Sequence, residues 1–238
     1  MHSDNPKVLI RTARTVGWSQ LALIALGIAT SVLVSKGIDI NLSADVESTA
    51  RNMLDAETRL RAKAYLVCLG FALGTVISVG LFLLLKPYGR LLATSCLTVS
   101  LTGGVLSLLG AVFAMNAAEI ASAPAYASIT NEAQRLMLMG IQATSDYTSF
   151  HLSLVISSVA HGGFFYLFLR SGLIPTVIAA WGLFTSLLVA VMIVARDFVP
   201  ALGQSTITIS FMVANLVALL ALSLYLGIKG VRVDPVPL

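Results

Sequence analysis

The sequence predicts an all-α fold, a polytopic transmembrane helical bundle of about six spans with amphipathic helices in two outer loops. Of its 238 residues, 57% are hydrophobic and 11% are charged, and the mean hydropathy is +0.91. Soluble domains carry about 25% charged residues. The apolar residues also form continuous runs long enough for helices to cross a ~30 Å hydrocarbon core, which takes about 20 residues. A transmembrane β-barrel would instead show short alternating segments.

Six runs without Lys, Arg, Asp or Glu are the predicted spans. They are Val16–Ser35, Ala64–Leu85, Leu91–Met115, Phe150–Leu169, Pro175–Ala195 and Ile207–Ile228. With outer loops at 36–63, 116–149 and 196–206, they predict a single membrane domain over 1–238. The first run is longer than the apolar region of a signal peptide, and no small-residue cleavage site follows it. We therefore interpret it as a retained signal anchor.

The basic residues predict an orientation. Six spans place both termini on one side, and the short flanks on that side hold eight of the fifteen Lys and Arg residues. The other seven are spread over much longer loops. Because Lys and Arg close to the spans stay in the cytoplasm, we expect both termini to be cytoplasmic. A net charge of +4 with no basic face excludes nucleic acid as a partner; the lipid bilayer is the expected surrounding.

The first outer loop predicts an amphipathic helix with Ser43 as its N-cap, which runs into the second span at Ala64. Three acidic residues are each followed four positions later by a basic residue, which is the order that best supports a helix, and the apolar residues share one face. The pairs are Glu47–Arg51, Asp55–Arg59 and Glu57–Arg61, and the face is Val46, Ala50, Met53 and Leu60. Such a helix either binds a partner or gates a substrate, or it simply covers the outer end of the bundle.

The second outer loop predicts a short helix over Thr130–Met139 with a face of Met and Leu. A helix of this kind rests in the membrane interface with its apolar side down. Methionine-rich faces also form adaptable binding surfaces, but the interpretation that we favour is that this face fills irregular space above the bundle.

Metal and cofactor chemistry is not indicated. His151 and His161 are ten residues apart, which places them ~15 Å apart along a helix and about 80° around it, so one metal cannot bind both. Cys68 and Cys96 lie near opposite ends of neighbouring spans, too far apart for a disulfide, and no Cys-based metal motif is present. We expect no cofactor.

Three polar side chains inside the spans are the candidate site. His161 and Asn215 lie at mid-depth of the fourth and sixth spans, and Ser157 precedes His161 by one helical turn. Ionisable residues in spans usually face the bundle interior or a cavity. Two interpretations are open: a polar cavity that binds a ligand or relays a proton, and interhelical hydrogen bonds worth ~0.6 kcal/mol each. A Ser157–His161 catalytic dyad is a third, since the two are four residues apart.

Small residues predict close helix packing. Gly70 and Gly74 form a GxxxG face on the second span, and further glycines leave parts of the third and fourth spans without bulky side chains. Small residues let helix backbones approach in lipid. These faces would pack within one chain, between copies in a homo-oligomer, or against a membrane partner.

Two segments resemble a known family. The segments Phe165-Tyr-Leu-Phe-Leu-Arg-Ser-Gly-Leu-Ile-Pro175 and Leu222-Ser-Leu-Tyr-Leu-Gly-Ile-Lys-Gly-Val231 are similar to the bacterial membrane family called domain of unknown function number forty-three eighty-six. The resemblance extends over about 149–231. Where family members carry a His and a Glu in the spans flanking the Arg-Ser-Gly-x-x-Pro turn, this chain has Ala160 and Leu219. The resemblance implies the fold and a bacterial plasma (inner) membrane location, and it implies no activity.

Two classes of function therefore remain. No catalytic motif is present, which favours a non-enzymatic accessory, ligand-binding or sensor-like membrane module. The alternative is a membrane enzyme or small carrier that acts on a lipid or apolar solute through a polar cavity near His161 and Asn215, with Ser157 beside them.

Overall fold

The computed structural model describes residues 6–40 and 45–232, and in this part of the chain the regular structure is helical, with no strand. The long helices, in chain order, are α1 (Pro6–Ala29), α3 (Glu57–Leu85), α4 (Arg90–Ser122), α6 (Glu132–Ser171), α7 (Thr176–Phe198) and α8 (Ser205–Leu224). Two short helices, α2 (Val46–Leu54) and α5 (Pro124–Ile129), lie between them. π-helical turns extend α1 to Val34 and α8 to Lys229.

Six of these helices are long and apolar enough to cross a membrane, so the predicted all-α class with six spans is confirmed. Each helix extends beyond at least one end of its predicted apolar run, because polar first and last turns continue the helix. The 40 residues of α6 make it about 60 Å long, about twice the ~30 Å thickness of the hydrocarbon core.

The predicted short helix over Thr130–Met139 is instead the start of α6. Asn131 and Gln134 form a reciprocal capping box: the Gln134 backbone N–H donates to Asn131 Oδ1, and the Asn131 N–H donates to Gln134 Oε1, each at 2.9 Å. No proline or turn sequence follows before Phe150, so the helix continues without interruption into the predicted fourth span.

The predicted outer helix is broken where we expected continuity. Helix α2 ends at Leu54, and α3 begins at Glu57. The N-cap in the structure is Asp45, which accepts the Glu47 N–H at 3.0 Å; Ser43 lies outside the described residues. Hydrogen bonds with Ser48 and with the Glu47 N–H lower the pKa of the Asp45 carboxyl.

Of the three predicted acid–base pairs, two form. Arg51 lies 3.1 Å from Glu47, and Arg61 lies 3.0 Å from Glu57. The Asp55–Arg59 prediction was wrong, because Asp55 lies in the break after Leu54 and Arg59 lies on α3. Arg59 instead donates to the Val34 carbonyl at 3.0 Å from Nε and also to the Lys36 carbonyl.

The chain divides into two compact units. The terminal unit comprises residues 6–23, 73–104 and 154–232, and the loop unit comprises 24–40, 45–72 and 105–153. The long helices α1, α3, α4 and α6 each contribute residues to both units. The predicted single domain over 1–238 remains a prediction.

The terminal unit is packed through apolar side chains and glycines. Its core includes Phe164, Phe165 and Phe168, each at most 2% exposed. A Cβ added at Gly17 would collide with the Gly227 backbone, and one added at Gly182 would collide with the Phe165 ring. Glycine therefore permits these helix contacts, at positions that the predicted small-residue pattern did not include; a Cβ at Gly74 of the predicted GxxxG face would meet nothing within 4 Å.

The loop unit has a smaller apolar core, and arginine side chains cap the C-terminal ends of its helices. Ala50, Met53 and Leu60 are buried there, as predicted, whereas Val46 is exposed. Arg59 binds the last carbonyls of the first span, and Arg135 donates to the Ile120 and Ala121 carbonyls at the end of α4. Cations at helix C-termini satisfy orphan carbonyls and complement the helix dipole.

Candidate functional site

The predicted site residues all lie in the terminal unit. Asn215 occupies the buried face of α8, which it shares with Phe211, Ala218 and Leu222. Its Oδ1 is buried and has no hydrogen-bond partner among the described residues. A buried amide oxygen without a partner carries the full cost of its lost hydration, and the interhelical hydrogen bond that we considered is not made by this oxygen to any described residue.

Ser157 and His161 are the two residues that we considered as a catalytic dyad. Both side chains are half-buried, and no hydrogen bond joins them within the described part of the chain. The neighbouring Gly162 brings α6 close to α7, since a Cβ there would lie 3.2 Å from Leu187 Cδ2 and 3.9 Å from Ser186 Cβ. The hydroxyl of Ser186 is also buried without a described partner.

A second polar site, which the sequence did not predict, lies in the loop unit. Lys63 Nζ donates to Asp39 Oδ2 at 2.9 Å and to Asp146 Oδ2 at 2.6 Å. The three side chains are only 7%, 16% and 18% exposed, respectively. We call these residues the Lys63 cluster. One buried ammonium group is shared there by two carboxylates.

Three segments bring the Lys63 cluster together. Asp39 follows the first span, Lys63 lies in the second turn of α3, and Asp146 lies in the middle of α6. Asp146 can approach α4 because Gly110 has no side chain: a Cβ there would lie 2.5 Å from Asp146 Oδ1. On α6, one residue beyond Asp146, the Tyr147 ring packs on His151 with centroids 5.6 Å apart.

Sequence reasoning missed the Lys63 cluster because its members are 24 and 83 residues from Lys63 along the chain. Each residue lies just outside a predicted apolar run, so we counted it as a solvated loop charge. The position of Lys63 could have indicated the site. Lys63 directly precedes the second apolar run, and α3 has already begun at Glu57, so Lys63 lies within a helix and not in a loop.

An open groove also lies in the loop unit, between α2 and the first part of α6. Its volume is about 700 Å³. The lining is mostly apolar and is supplied by Val46, Glu47 and Ala50 of α2 and by Ala133, Leu136, Met137, Gly140, Ile141, Thr144 and Ser145 of α6. We call this the α2/α6 groove. Met137 and Ile141 of this lining are 61% and 51% exposed.

The α2/α6 groove is built from the two segments that the sequence marked as amphipathic. Gly140 widens it, since a Cβ at that position would reach Val46 Cγ1 at 3.5 Å, an ordinary contact distance. The polar lining is limited to Glu47 on α2 and to Thr144 and Ser145 on α6. Glu47 is itself paired with Arg51 on the surface of α2.

The described residues contain no candidate metal site. Within residues 6–40 and 45–232, no group of three or more His, Cys, Asp or Glu side chains could hold a metal ion. The Lys63 cluster contributes two carboxylates, but the ammonium of Lys63 lies between them.

Comparison with known proteins identifies one family. The family model described as Domain of unknown function (DUF4386) matches residues 15–230, which is most of the chain. No curated protein and no solved structure matches. The chain therefore belongs to the DUF4386 family, as the two segments around Arg170 and Lys229 indicated.

Proposed function

We propose that this DUF4386 protein is a non-enzymatic, multi-pass membrane protein that binds a largely apolar, uncharged molecule in its α2/α6 groove. In this proposal it acts as a ligand-binding or sensor-like module. The observation that carries the proposal is the groove itself, an apolar depression of about 700 Å³ flanked by exposed Met137 and Ile141. Ligand sites are typically apolar clefts of about 300–1,000 Å³ with few polar groups.

The lining indicates the class of ligand. Val46, Met137 and Ile141 provide flexible or branched apolar contacts, which suit an alkyl chain. The hydroxyl groups of Thr144 and Ser145 can each donate and accept a hydrogen bond. The carboxylate of Glu47 disfavours an anionic head group, so an alcohol-like head fits better than a carboxylate.

The orientation belongs to the same proposal. Lys and Arg flanks support cytoplasmic termini in a bacterial plasma membrane, which would place the α2/α6 groove on the outer side. Single cysteines at Glu132 and Pro87, in a background with Cys68 and Cys96 replaced, test this with an impermeant thiol reagent on intact cells. We expect labelling at Glu132→Cys and protection of Pro87→Cys; the reverse pattern would overturn the orientation.

Binding is tested by native mass spectrometry of the full chain with a long-chain alcohol. Gly140→Leu fills the α2/α6 groove, while the first added carbon makes only an ordinary contact with Val46. We expect about tenfold weaker binding or more, equivalent to about 1.4 kcal/mol.

The matched control is Gly27→Leu. It makes the same change on helix α1 at an exposed position where a Cβ meets nothing within 4 Å. This variant should bind like the wild type. Equal binding by wild type and Gly140→Leu would place the ligand elsewhere and refute the proposed groove.

The alternative function, an enzyme or carrier that uses the terminal unit, has one observation in its favour. Asn215 Oδ1 and Ser186 Oγ are buried polar atoms without described partners, and such atoms can be satisfied by a bound solute. Under this alternative, Asn215→Leu abolishes binding of the alcohol and Gly140→Leu leaves it intact, the opposite of the result expected for the groove.

Association with a second copy or a membrane partner through small-residue faces remains a further proposal. The support for this proposal comes from Gly74. A Cβ added at Gly74 would meet nothing within 4 Å, so this part of the GxxxG face is open.

A further inference from the structure

We propose that the terminal unit binds the phosphate group of an anionic phospholipid through Arg11 and Arg14 of α1 and Lys229 at the end of α8. Trp18 lies beside these cations and contacts the lipid below its phosphate. We call this the α1/α8 site. It lies in a different unit from the α2/α6 groove, and it depends neither on ligand binding there nor on the orientation of the termini.

One face of α1 supplies two cations and an indole ring. Arg11, Arg14 and Trp18 are three and four residues apart, so their side chains point within about 60° of one another around the helix. All three residues are exposed. Because a helix rises 1.5 Å per residue, Trp18 lies about 6 Å further into the span than Arg14.

Helix α8 brings the third cation to this face. Arg14 Nη2 donates to the Ile228 carbonyl at 3.5 Å, and a Cβ added at Gly227 would lie 3.5 Å from Trp18 Cε2. The exposed Lys229 is the next residue after Ile228, and its flexible four-carbon side chain can reach the same surface. The sequence indicated no basic face, because Lys229 lies near the arginines only through the packing of α8 on α1.

These cations have no acidic partner in the described part of the chain. Neither α1 nor α8, with their π-helical turns, contains Asp or Glu. Within the described residues of the terminal unit, the one acidic residue is Asp197, at the opposite end, where α7 leads into α8. Asp4 and Asp234 lie outside the described residues. The α1/α8 site therefore presents a positive charge that an anion from outside can compensate.

The hydrogen-bonding capacity of the cations is also largely unused. Within the described residues, the side chains of Arg11 and Lys229 make no hydrogen bond or ion pair, and that of Arg14 makes the bond to the Ile228 carbonyl. A guanidinium has five N–H donors. The loop unit differs, because Lys63 there binds two carboxylates of the same chain.

The chemistry of the α1/α8 site fits a phosphate diester with apolar chains. Guanidinium groups match two phosphate oxygens at once, and an ammonium adds a compact charge. Trp18 and Ile228, which are 58% and 57% exposed, provide apolar surface beside the cations. Tryptophan is enriched at the level of lipid head groups, and basic surfaces between spans bind anionic head groups. A free phosphate would leave this apolar surface uncovered, so the occupant is a phospholipid.

Fluorescence quenching of Trp18 tests the proposal, because the chain contains two tryptophans and Trp181→Phe leaves Trp18 alone. The full chain is placed in phosphatidylcholine vesicles with small amounts of a brominated-chain lipid, either phosphatidylglycerol or phosphatidylcholine. We expect brominated phosphatidylglycerol to quench Trp18 at about tenfold lower mole fraction, because each Lys or Arg near an anionic lipid is worth about fivefold in affinity.

The chain offers matched controls for this measurement. The double variant Arg14→Gln/Lys229→Gln should lose the preference for phosphatidylglycerol, whereas Arg90→Gln, which removes an exposed cation from the start of α4, should retain it. Trp181, observed in Trp18→Phe, should be quenched equally by both lipids. Its Nε1 donates to the Ala214 carbonyl, about 20 Å along α8 from Ile228.

Three results would overturn the proposal. The first is equal quenching of Trp18 by the two brominated lipids, and the second is a preference that the double variant keeps or that Arg90→Gln loses to the same extent. The third is release of phosphatidylglycerol by millimolar inorganic phosphate, which would identify free phosphate as the ligand. Gly140→Leu should leave the preference unchanged, so the α1/α8 site and the α2/α6 groove can fail separately.

A second measurement needs no tryptophan replacement. In native mass spectrometry of the wild-type chain, phosphatidylglycerol should stay bound more often than phosphatidylcholine with the same acyl chains, and Arg14→Gln/Lys229→Gln should remove this difference. Equal retention of the two lipids by the wild type would contradict the α1/α8 site.

Discussion

The terminal unit and the loop unit are stabilised in different ways. In the terminal unit, aromatic side chains and glycines produce close helix contacts. In the loop unit, cations connect segments that are distant in sequence: Arg61 binds two acids, and Lys63 binds two more. The loop unit therefore contains the buried and paired charges, whereas the apolar spans determine the fold.

Removing the ammonium of Lys63 should have the largest effect. Lys63→Met leaves Asp39 and Asp146 facing each other without their shared cation. Breaking a buried ion pair costs about 3–5 kcal/mol. Thermal unfolding in detergent measures this loss, and limited proteolysis should show earlier cleavage in residues 105–153.

Arg51→Met is the control for this comparison, because the Arg51–Glu47 pair is exposed. Exposed pairs contribute about 0–1 kcal/mol. If both variants unfold at the same temperature, the Lys63 cluster does not stabilise the loop unit as we describe.

A glycine substitution should produce the next largest effect, in the terminal unit. Gly17→Ala places a Cβ against the Gly227 backbone, so the two helices must move apart to accommodate it. Overpacking of this kind costs about 1–3 kcal/mol. Gly27→Ala, at an open helical position, should instead be neutral or stabilising by up to about 1 kcal/mol. Chemical-denaturation midpoints that rank the two variants in the opposite order would refute the close approach.

The smallest effects are expected at the polar residues of the terminal unit. His161→Gln should leave a folded, functional protein with stability lowered by no more than ~2 kcal/mol. Asn215→Leu removes an unpartnered buried amide and should be neutral or stabilising. A folded His161→Gln or Asn215→Leu protein that no longer binds the long-chain alcohol would move the candidate site from the loop unit to the terminal unit.

Hydropathy predicted the six long helices because each span is a continuous apolar run that is independent of the rest of the chain. The Glu47–Arg51 and Glu57–Arg61 pairs were also predictable, since residues four apart meet on any helix. The Asp55–Arg59 pair was not formed because one short break after Leu54 separates its members. Local spacing is thus reliable only where the helix is continuous.

The functional residues were harder to predict. Asp39, Lys63 and Asp146 come from three segments, and only the packing of α6 beside Gly110 brings them together. Likewise, Val46 and Met137 were assigned to amphipathic faces, but their joint exposure along the α2/α6 groove depends on how α2 lies beside α6. Such long-range contacts have no signature in one sequence.

Photolabelling tests the central claim, ligand binding in the α2/α6 groove, most directly. A long-chain alcohol that carries a diazirine is bound to the full chain in phosphatidylcholine vesicles, irradiated, and mapped by peptide mass spectrometry. We predict saturable labelling of residues 46–50 and 133–145 that unlabelled alcohol displaces, that Gly140→Leu abolishes and that Gly27→Leu preserves. Labelling that is confined to the apolar surfaces of the spans, or that is unchanged in Gly140→Leu, would contradict the proposed function.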